Sequence, residues 1–94
     1  MAKILDVAQF IYDELGWVDA WRLEKLTYYA DSWFAAWYGE PLFNENFEAW
    51  VDGPVAPVLY HANKGRDSLM SRNLPQGDGS ALLPREEAAI ALSL

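Results

Sequence analysis

The sequence predicts a mainly helical fold, a small bundle of about four helices with one short β element near residues 47–51. Apolar residues recur at steps of three and four along two long segments, and Gly or Pro stands near most of the predicted helix ends. The AVILMFWYC set makes up 52% of the 94 residues, so one core can form although the chain has no Cys. We therefore expect a single domain over residues 1–94, with a flexible loop at about 66–83.

The first helix is predicted over residues 3–15. Its apolar stripe consists of Ile4, Val7, Ala8, Ile11 and Leu15. Gly16 follows the stripe and suits a left-handed C-terminal cap. Asp6 and Asp13 fall off the stripe, so we expect both side chains to face water.

The second predicted helix begins after Asp19, whose side chain suits an N-cap, and ends at Gly39. Its apolar positions with helical spacing are Leu23, Leu26, Ala30, Trp33, Phe34 and Trp37. Tyr28 and Tyr29 widen the apolar face beyond half of the circumference, although we expect both to belong mainly to the core. A helix of this kind is either central to a bundle or covered by another chain, and both interpretations stay open.

Alternation of apolar and polar residues over 47–51 predicts a strand, which needs a pairing strand within 66–83 or elsewhere. The sequence Asp52-Gly53-Pro54 predicts a turn. Pro57 then lies in the first turn of a third helix, predicted to reach Lys64 and to stop at Gly65.

Pro84 opens the last predicted helix, which reaches the final residue, Leu94. Glu86 and Glu87 fall in its first turn, where the helix dipole favours acidic residues.

The composition argues against several classes of function. A net charge of −7 repels nucleic acid, and no stretch is long and apolar enough for a membrane span or a signal peptide, so we expect a cytoplasmic protein. The absence of Cys and the single His argue against common metal sites, and we expect no cofactor and no metal.

His61 is the one candidate general base, and we interpret it as a structural or surface residue. The acidic pairs Glu45 with Glu48 and Glu86 with Glu87 are interpreted as solvated or as helix-start residues. We expect no catalytic residue, and the acidic, aromatic-rich composition favours a domain that binds a protein partner.

Three segments together resemble the Panacea domain of SocA-like antitoxins. The first is Ile4-Leu5-Asp6-Val7-Ala8, followed by Ile11 and Leu15-Gly16. The second is residues 23–30 (LEKLTYYA), followed by Trp33, Ala36, Gly39 and Pro41-Leu42-Phe43. The third, and most specific, is residues 48–55 (EAWVDGPV) with Pro57, Leu59-Tyr60 and His61. The chain resembles a short or C-terminally truncated member, because family members usually continue with further helices after the equivalent of Ile90.

The resemblance implies an antitoxin that neutralises a cognate protein toxin by direct binding. The alternative that it implies is a proteolytic adaptor that delivers a toxin to an ATP-dependent protease. Self-association into a homo-oligomer is a further possibility. Around the turn and third helix, the candidate partner-binding residues are Trp50, Asp52, Tyr60, His61 and Lys64. The motif residues expected to be structural are Lys25, Tyr28, Tyr29, Gly53, Pro54 and Pro57.

Overall fold

The computed structural model describes residues 1–16, 18–51, 53–63 and 77–94. In chain order its elements are α1 (Ile4–Leu15), α2 (Ala20–Tyr38), β1 (Glu48–Trp50), β2 (Gly53–Val55), α3 (Pro57–Asn63), a 3-10 turn (Gly79–Ala81) and α4 (Pro84–Ser93). The predicted fold class is confirmed, since the described chain is mainly helical with a short β element.

Helix α1 buries most of the predicted stripe and ends at Gly16, the residue predicted to cap it. Gly16 has φ 79° and ψ −141°, so it has a positive φ but not the left-handed helical conformation that was predicted. Its N–H donates to the carbonyl of Tyr12 at 2.8 Å. The prediction is wrong for Leu15, whose side chain is 47% exposed. Leu15 lies in the last turn of the helix and lines an open surface groove. Asp6 is half-buried rather than free in water, since its Oδ1 accepts from the N–H of Asp78 at 2.9 Å.

Helix α2 has the predicted caps. Asp19 Oδ1 accepts from the N–H of Arg22 at 2.9 Å, and Gly39, at φ 70°, donates to the carbonyl of Ala35 at 2.9 Å. A local residue therefore pairs with a backbone group at each end of the helix.

The buried face of α2 is narrower than the sequence indicates. It consists of Leu23, Glu24, Thr27, Ala30 and Phe34. The expectation that Tyr28 and Tyr29 belong to the core is wrong, since they are 37% and 50% exposed. The helix is covered by α1, α4, β2 and α3 on one side, and the tyrosines lie beyond that cover.

Strands β1 and β2 form an antiparallel hairpin in which Ala49 lies opposite Pro54. The pairing strand is thus the segment that directly follows, and part of the predicted turn is itself a strand. Gly53 has φ 119°, a conformation that favours glycine. Among the described residues the sheet has two strands, so β2 lies at an edge, where Pro54 is tolerated.

The chain after β2 returns to the core through α3, where Leu59 is fully buried. The predicted end of this helix at Lys64 and Gly65 lies outside the described residues. The predicted loop at 66–83 is described only from residue 77, and there the 3-10 turn packs against α1. Gly79 is buried at that contact, where an added Cβ would lie 3.1 Å from the Cα of Phe10.

Helix α4 begins at Pro84 as predicted and packs against α2. Glu86 Oε1 accepts from the N–H of Leu83 at 2.8 Å, so this carboxylate satisfies a free amide at the helix start. Arg85 pairs with Glu40 at 3.0 Å, and its guanidinium lies 5.4 Å from the ring centre of Tyr38. These contacts fix the start of α4 beside the end of α2.

The core combines residues of α1, α2, α3 and α4 with Leu42, Phe43 and Leu82. Phe34 is 1% exposed and belongs to this cluster. Across the described ranges, no helix is long and apolar enough to cross a membrane.

Replacement of Phe34 by Ala is expected to lower the free energy of unfolding by about 3–5 kcal/mol, because it leaves a cavity in the core. Trp33→Ala is the matched control, since Trp33 is the neighbouring residue but is 47% exposed. Urea unfolding followed by circular dichroism measures both. Equal losses of stability in the two variants would contradict the described orientation of α2.

Candidate partner-binding surfaces

Large aromatic side chains remain exposed on two parts of the molecule. The four described tryptophans are Trp21, Trp33, Trp37 and Trp50, and they are 36–47% exposed. Large exposed apolar groups are the usual mark of an interaction surface when they are contiguous. We name the two surfaces by their elements, the hairpin–α3 patch and the α2 aromatic face.

The hairpin–α3 patch consists of Trp50, Tyr60 and His61. The ring centres of Trp50 and Tyr60 are 5.1 Å apart with an interplanar angle of 65°, and those of Tyr60 and His61 are 5.5 Å apart at 78°. The indole Nε1 of Trp50 donates to Glu48 Oε1 at 2.9 Å. Three of the five predicted partner-binding residues therefore lie together.

The two remaining predicted residues of this patch, Asp52 and Lys64, lie outside the described residues. The path of the chain brings the residues of this patch together. Trp50 pairs with Gly53 at the end of the hairpin, and β2 leads after one residue into α3, which carries Tyr60. Gly53, Pro54 and Pro57, predicted to be structural, lie within this connection.

The α2 aromatic face consists of Trp21, Lys25, Tyr29, Trp33 and Trp37. These positions follow one another at four-residue steps, so neighbours in the series are in reach of each other, and the row winds by about 160° around the helix from its first to its last member. The rings of Trp33 and Trp37 are 5.5 Å apart. All five side chains are exposed, including Lys25, which was predicted to be structural.

The charge of this face differs from that of the whole chain. Helix α2 is described throughout, and its two exposed charged residues are Arg22 and Lys25. Its acidic residues are turned inward, since Glu24 is buried and half-buried Asp31 accepts from the N–H of Leu42 at 2.9 Å. The charged side chains that α2 itself exposes are therefore basic, on a chain of net charge −7.

A groove of about 400 Å³ lies along the N-terminal half of this face. Its lining residues are Asp19, Trp21, Arg22, Lys25, Leu26 and Tyr29. Towards the hairpin, the ring of Tyr28 contacts that of Phe47 at 5.1 Å in an edge-to-face arrangement. Tyr28, predicted to be structural, thus connects α2 to the segment before β1.

Glu24 is a buried acid that the sequence interpretation missed. Its Oε1 accepts from the N–H of Ala56 at 2.9 Å, which ties α2 to the residue between β2 and α3. Within the described part of the chain, its Oε2 has no hydrogen-bond partner. Burial raises the pKa of this carboxyl to about 7, against the lowering effect of the Ala56 hydrogen bond.

A helical projection of the sequence would have indicated this position. Glu24 lies next to Leu23 and one turn before Thr27, both of which are fully buried. An acidic residue on the buried side of a helix needs a hydrogen-bond donor, and the nearest turn-rich segment supplies one.

The other acidic residues considered from the sequence have separate partners. Glu45 Oε1 accepts from the N–H of Ile4 at 3.3 Å, whereas Glu48 binds Trp50. Glu86 caps α4, as described above. His61 is exposed and contacts the ring of Tyr60. Over the described ranges, no group of three or more His, Cys, Asp or Glu side chains could hold a metal ion.

The fold is a small helical domain with exposed aromatic side chains, and comparison with known proteins gives its family. Residues 23–83, more than half of the chain, match the family described as "Antitoxin SocA-like, Panacea domain". The protein therefore belongs to the SocA-like Panacea-domain family, as the motifs in its sequence indicated.

Among curated proteins, the chain is similar to Antitoxin SocA of Caulobacter vibrioides (strain NA1000 / CB15N). The two are 53% identical over 38 residues, a region that covers 40% of this chain and 20% of the relative. The match thus spans about a fifth of the length of that relative. No solved structure matches the chain.

The buried carboxyl of Glu24 makes stability depend on pH. Its pKa is about 7 in the folded protein and 4.5 in the unfolded chain, so folding favours the protonated form. The stability that the protonated carboxyl contributes is fully present below pH 4.5 and is lost as the pH rises to about 7. This loss lowers the free energy of unfolding by roughly 3 kcal/mol. Glu24→Gln keeps an acceptor for Ala56 and has no charge, so it should be more stable than wild type at pH 8 and similar at pH 4.5.

Urea unfolding of both proteins between pH 4.5 and 8 measures this difference. Glu14→Gln is the control, because Glu14 is exposed and should leave the pH profile unchanged. Parallel pH profiles for wild type and Glu24→Gln would refute the assignment of a raised pKa to Glu24.

Proposed function

We propose that the protein is an antitoxin that neutralises a cognate protein toxin by direct binding. Membership of the SocA-like family supports an antitoxin role, and the similar relative is itself named an antitoxin. In this proposal the protein acts in the cytoplasm as a binding partner and not as an enzyme. It needs neither a cofactor nor a metal ion for this role.

The hairpin–α3 patch is the observation that supports direct binding. Trp and Tyr are the side chains that most often dominate the energy of protein interfaces. Here the rings of Trp50 and Tyr60 support each other while Trp50 remains 36% exposed. Binding would then cost little side-chain entropy, because the rings are already held in place before the partner arrives.

Polar side chains lie at the edge of the hairpin–α3 patch. Glu48 is exposed and holds the Trp50 indole nitrogen, and His61 is exposed at the other end of the ring series. Asp52 and Lys64 are proposed to complete this polar rim, as the sequence predicts. A hydrophobic centre with a polar edge is the usual arrangement of a specific interface.

The net charge indicates the kind of toxin. A chain of net charge −7 attracts a basic protein and speeds its approach, provided that the salt concentration is low enough. We therefore propose a basic toxin surface as the target of the patch.

Replacement of Trp50 or Tyr60 by Ala should weaken toxin binding at least tenfold, because each truncation removes one of two mutually supporting rings. Isothermal titration calorimetry with the protein encoded by the neighbouring open reading frame measures the affinity. Trp37→Ala is the matched control, since Trp37 is similarly exposed but lies on α2. Unchanged affinity in both patch variants would remove the patch from the proposal.

The proteolytic-adaptor alternative makes a different prediction in cells. An antitoxin that acts by binding should rescue growth from its toxin in a strain that lacks ATP-dependent proteases, with toxin levels unchanged. An adaptor should rescue growth only when the protease is present, and the toxin should then disappear. Rescue that requires the protease would replace direct inhibition by the adaptor function.

A further inference from the structure

The two edges of the hairpin formed by β1 and β2 differ in their main-chain groups. Ala49 is paired with Pro54, and a proline has no N–H. This pair is therefore one without hydrogen bonds between its members, and the N–H and C=O of Ala49 point away from β2. On the opposite edge the nitrogen of Pro54 faces outward and cannot donate. The outer edge of β1 thus has a free donor where the outer edge of β2 has none.

The surroundings of the two strands differ in the same sense. Strand β2 packs against α2, and its Val55 is fully buried. All three residues of β1 are exposed. In the part of the chain that the structure describes, the sheet ends at β1, and no main-chain hydrogen bond from another element reaches Ala49. The edge of β1 therefore offers one N–H and one C=O to a further strand.

We propose that an extended segment of the toxin adds to this edge of β1 as a third strand. The inference rests on the proposed function and names how the partner binds. Addition of a strand to an exposed sheet edge is a recurring mode of recognition, in which main-chain hydrogen bonds give affinity and alternate side chains give specificity. Ala49 would form two main-chain hydrogen bonds to the added segment.

The added segment would extend the hairpin–α3 patch. Alternate residues of a strand lie on the same face, so Glu48 and Trp50 share one face of β1. Their side chains meet there, since Trp50 Nε1 donates to Glu48 Oε1 at 2.9 Å, and the ring of Tyr60 packs against that of Trp50. Cross-strand neighbours have Cβ atoms about 4.5–5.5 Å apart, so side chains of the added segment would contact this face directly.

The side chains of β1 specify the chemistry of the segment. An apolar or aromatic residue suits the position opposite Trp50, and Lys or Arg suits the position opposite Glu48, because such cross-strand pairs are favourable. The residue between these two positions would bond to Ala49. A second copy of this chain suits the edge less well, because two chains of net charge −7 repel each other. The occupant is thus an extended segment with an apolar and a basic side chain two residues apart.

Amide hydrogen exchange of the isotope-labelled full chain, followed by NMR, tests the added strand. In the free protein the amide of Ala49 should exchange faster than that of Val55, which lies in a hydrogen-bonded pair of the hairpin. When the protein encoded by the neighbouring open reading frame binds, exchange at Ala49 should slow at least tenfold, because its N–H then donates to the added strand.

Replacement of Ala49 by Pro should weaken binding of the same protein at least tenfold in isothermal titration calorimetry, because it removes the outward N–H. The hairpin should tolerate this change, since Pro54 already occupies the other position of the pair. Pro54→Ala is the matched control, because it alters the opposite edge and should leave the affinity unchanged. Slow exchange at Val55 verifies that the hairpin is formed in both variants, and the exchange measurement on wild type depends on neither of them.

Toxin binding that leaves exchange at Ala49 unchanged would overturn the added strand while direct binding stands. Slow exchange at Ala49 in the free chain would also overturn it, because the edge is then already covered. Such coverage comes from a second copy if it grows with protein concentration and from the chain itself if it does not. Equal losses of affinity in Ala49→Pro and Pro54→Ala would contradict a role for the β1 edge. If the neighbouring protein does not bind at all, the proposed function fails and this inference fails with it.

Discussion

A helix of 19 residues is about 28 Å long, and the rest of this 94-residue chain covers it on one side. Helices α1, α3 and α4 and strand β2 all contact α2. This coverage produces the core around Leu23, Ala30 and Phe34, each at most 1% exposed. The same constraint leaves the opposite side of α2, with its tryptophans, in contact with water. Helix α2 is therefore divided into a face buried in the core and an exposed aromatic side.

A hydrogen bond to a buried carboxyl ties α2 to the residue that follows the hairpin. Glu24 accepts from the N–H of Ala56, which is fully buried between β2 and α3. Burial of an acid is unfavourable when it is ionised, and the raised pKa expresses that cost. The bond nevertheless satisfies a backbone N–H that would otherwise be buried without a partner. The position of α3, and with it Tyr60 beside Trp50, rests on this connection.

The two exposed surfaces differ in charge. The hairpin–α3 patch lies on an acidic chain and has Glu48 at its edge. The charged side chains that α2 exposes are Arg22 and Lys25, and Asp19 lies with them at the groove.

The sequence by itself determined the fold class, the family and both ends of α2. The two ends depend on local chemistry, namely the N-cap at Asp19 and the left-handed cap at Gly39, which the tertiary structure does not alter. The family resemblance also pointed to Trp50, Tyr60 and His61, and these residues lie together because a hairpin and a short connection bring near neighbours in sequence together.

Tertiary structure decided what each helix face contacts. The apolar pattern of α2 is wide, so periodicity could not distinguish buried Phe34 from exposed Tyr29, and only the packing of α4, α1 and the hairpin separated them. The pairing of β1 with β2 and the hydrogen bond from Ala56 to Glu24 could not be predicted from the sequence either. Both contacts depend on how the chain folds back on itself, and local residue preferences do not specify that path.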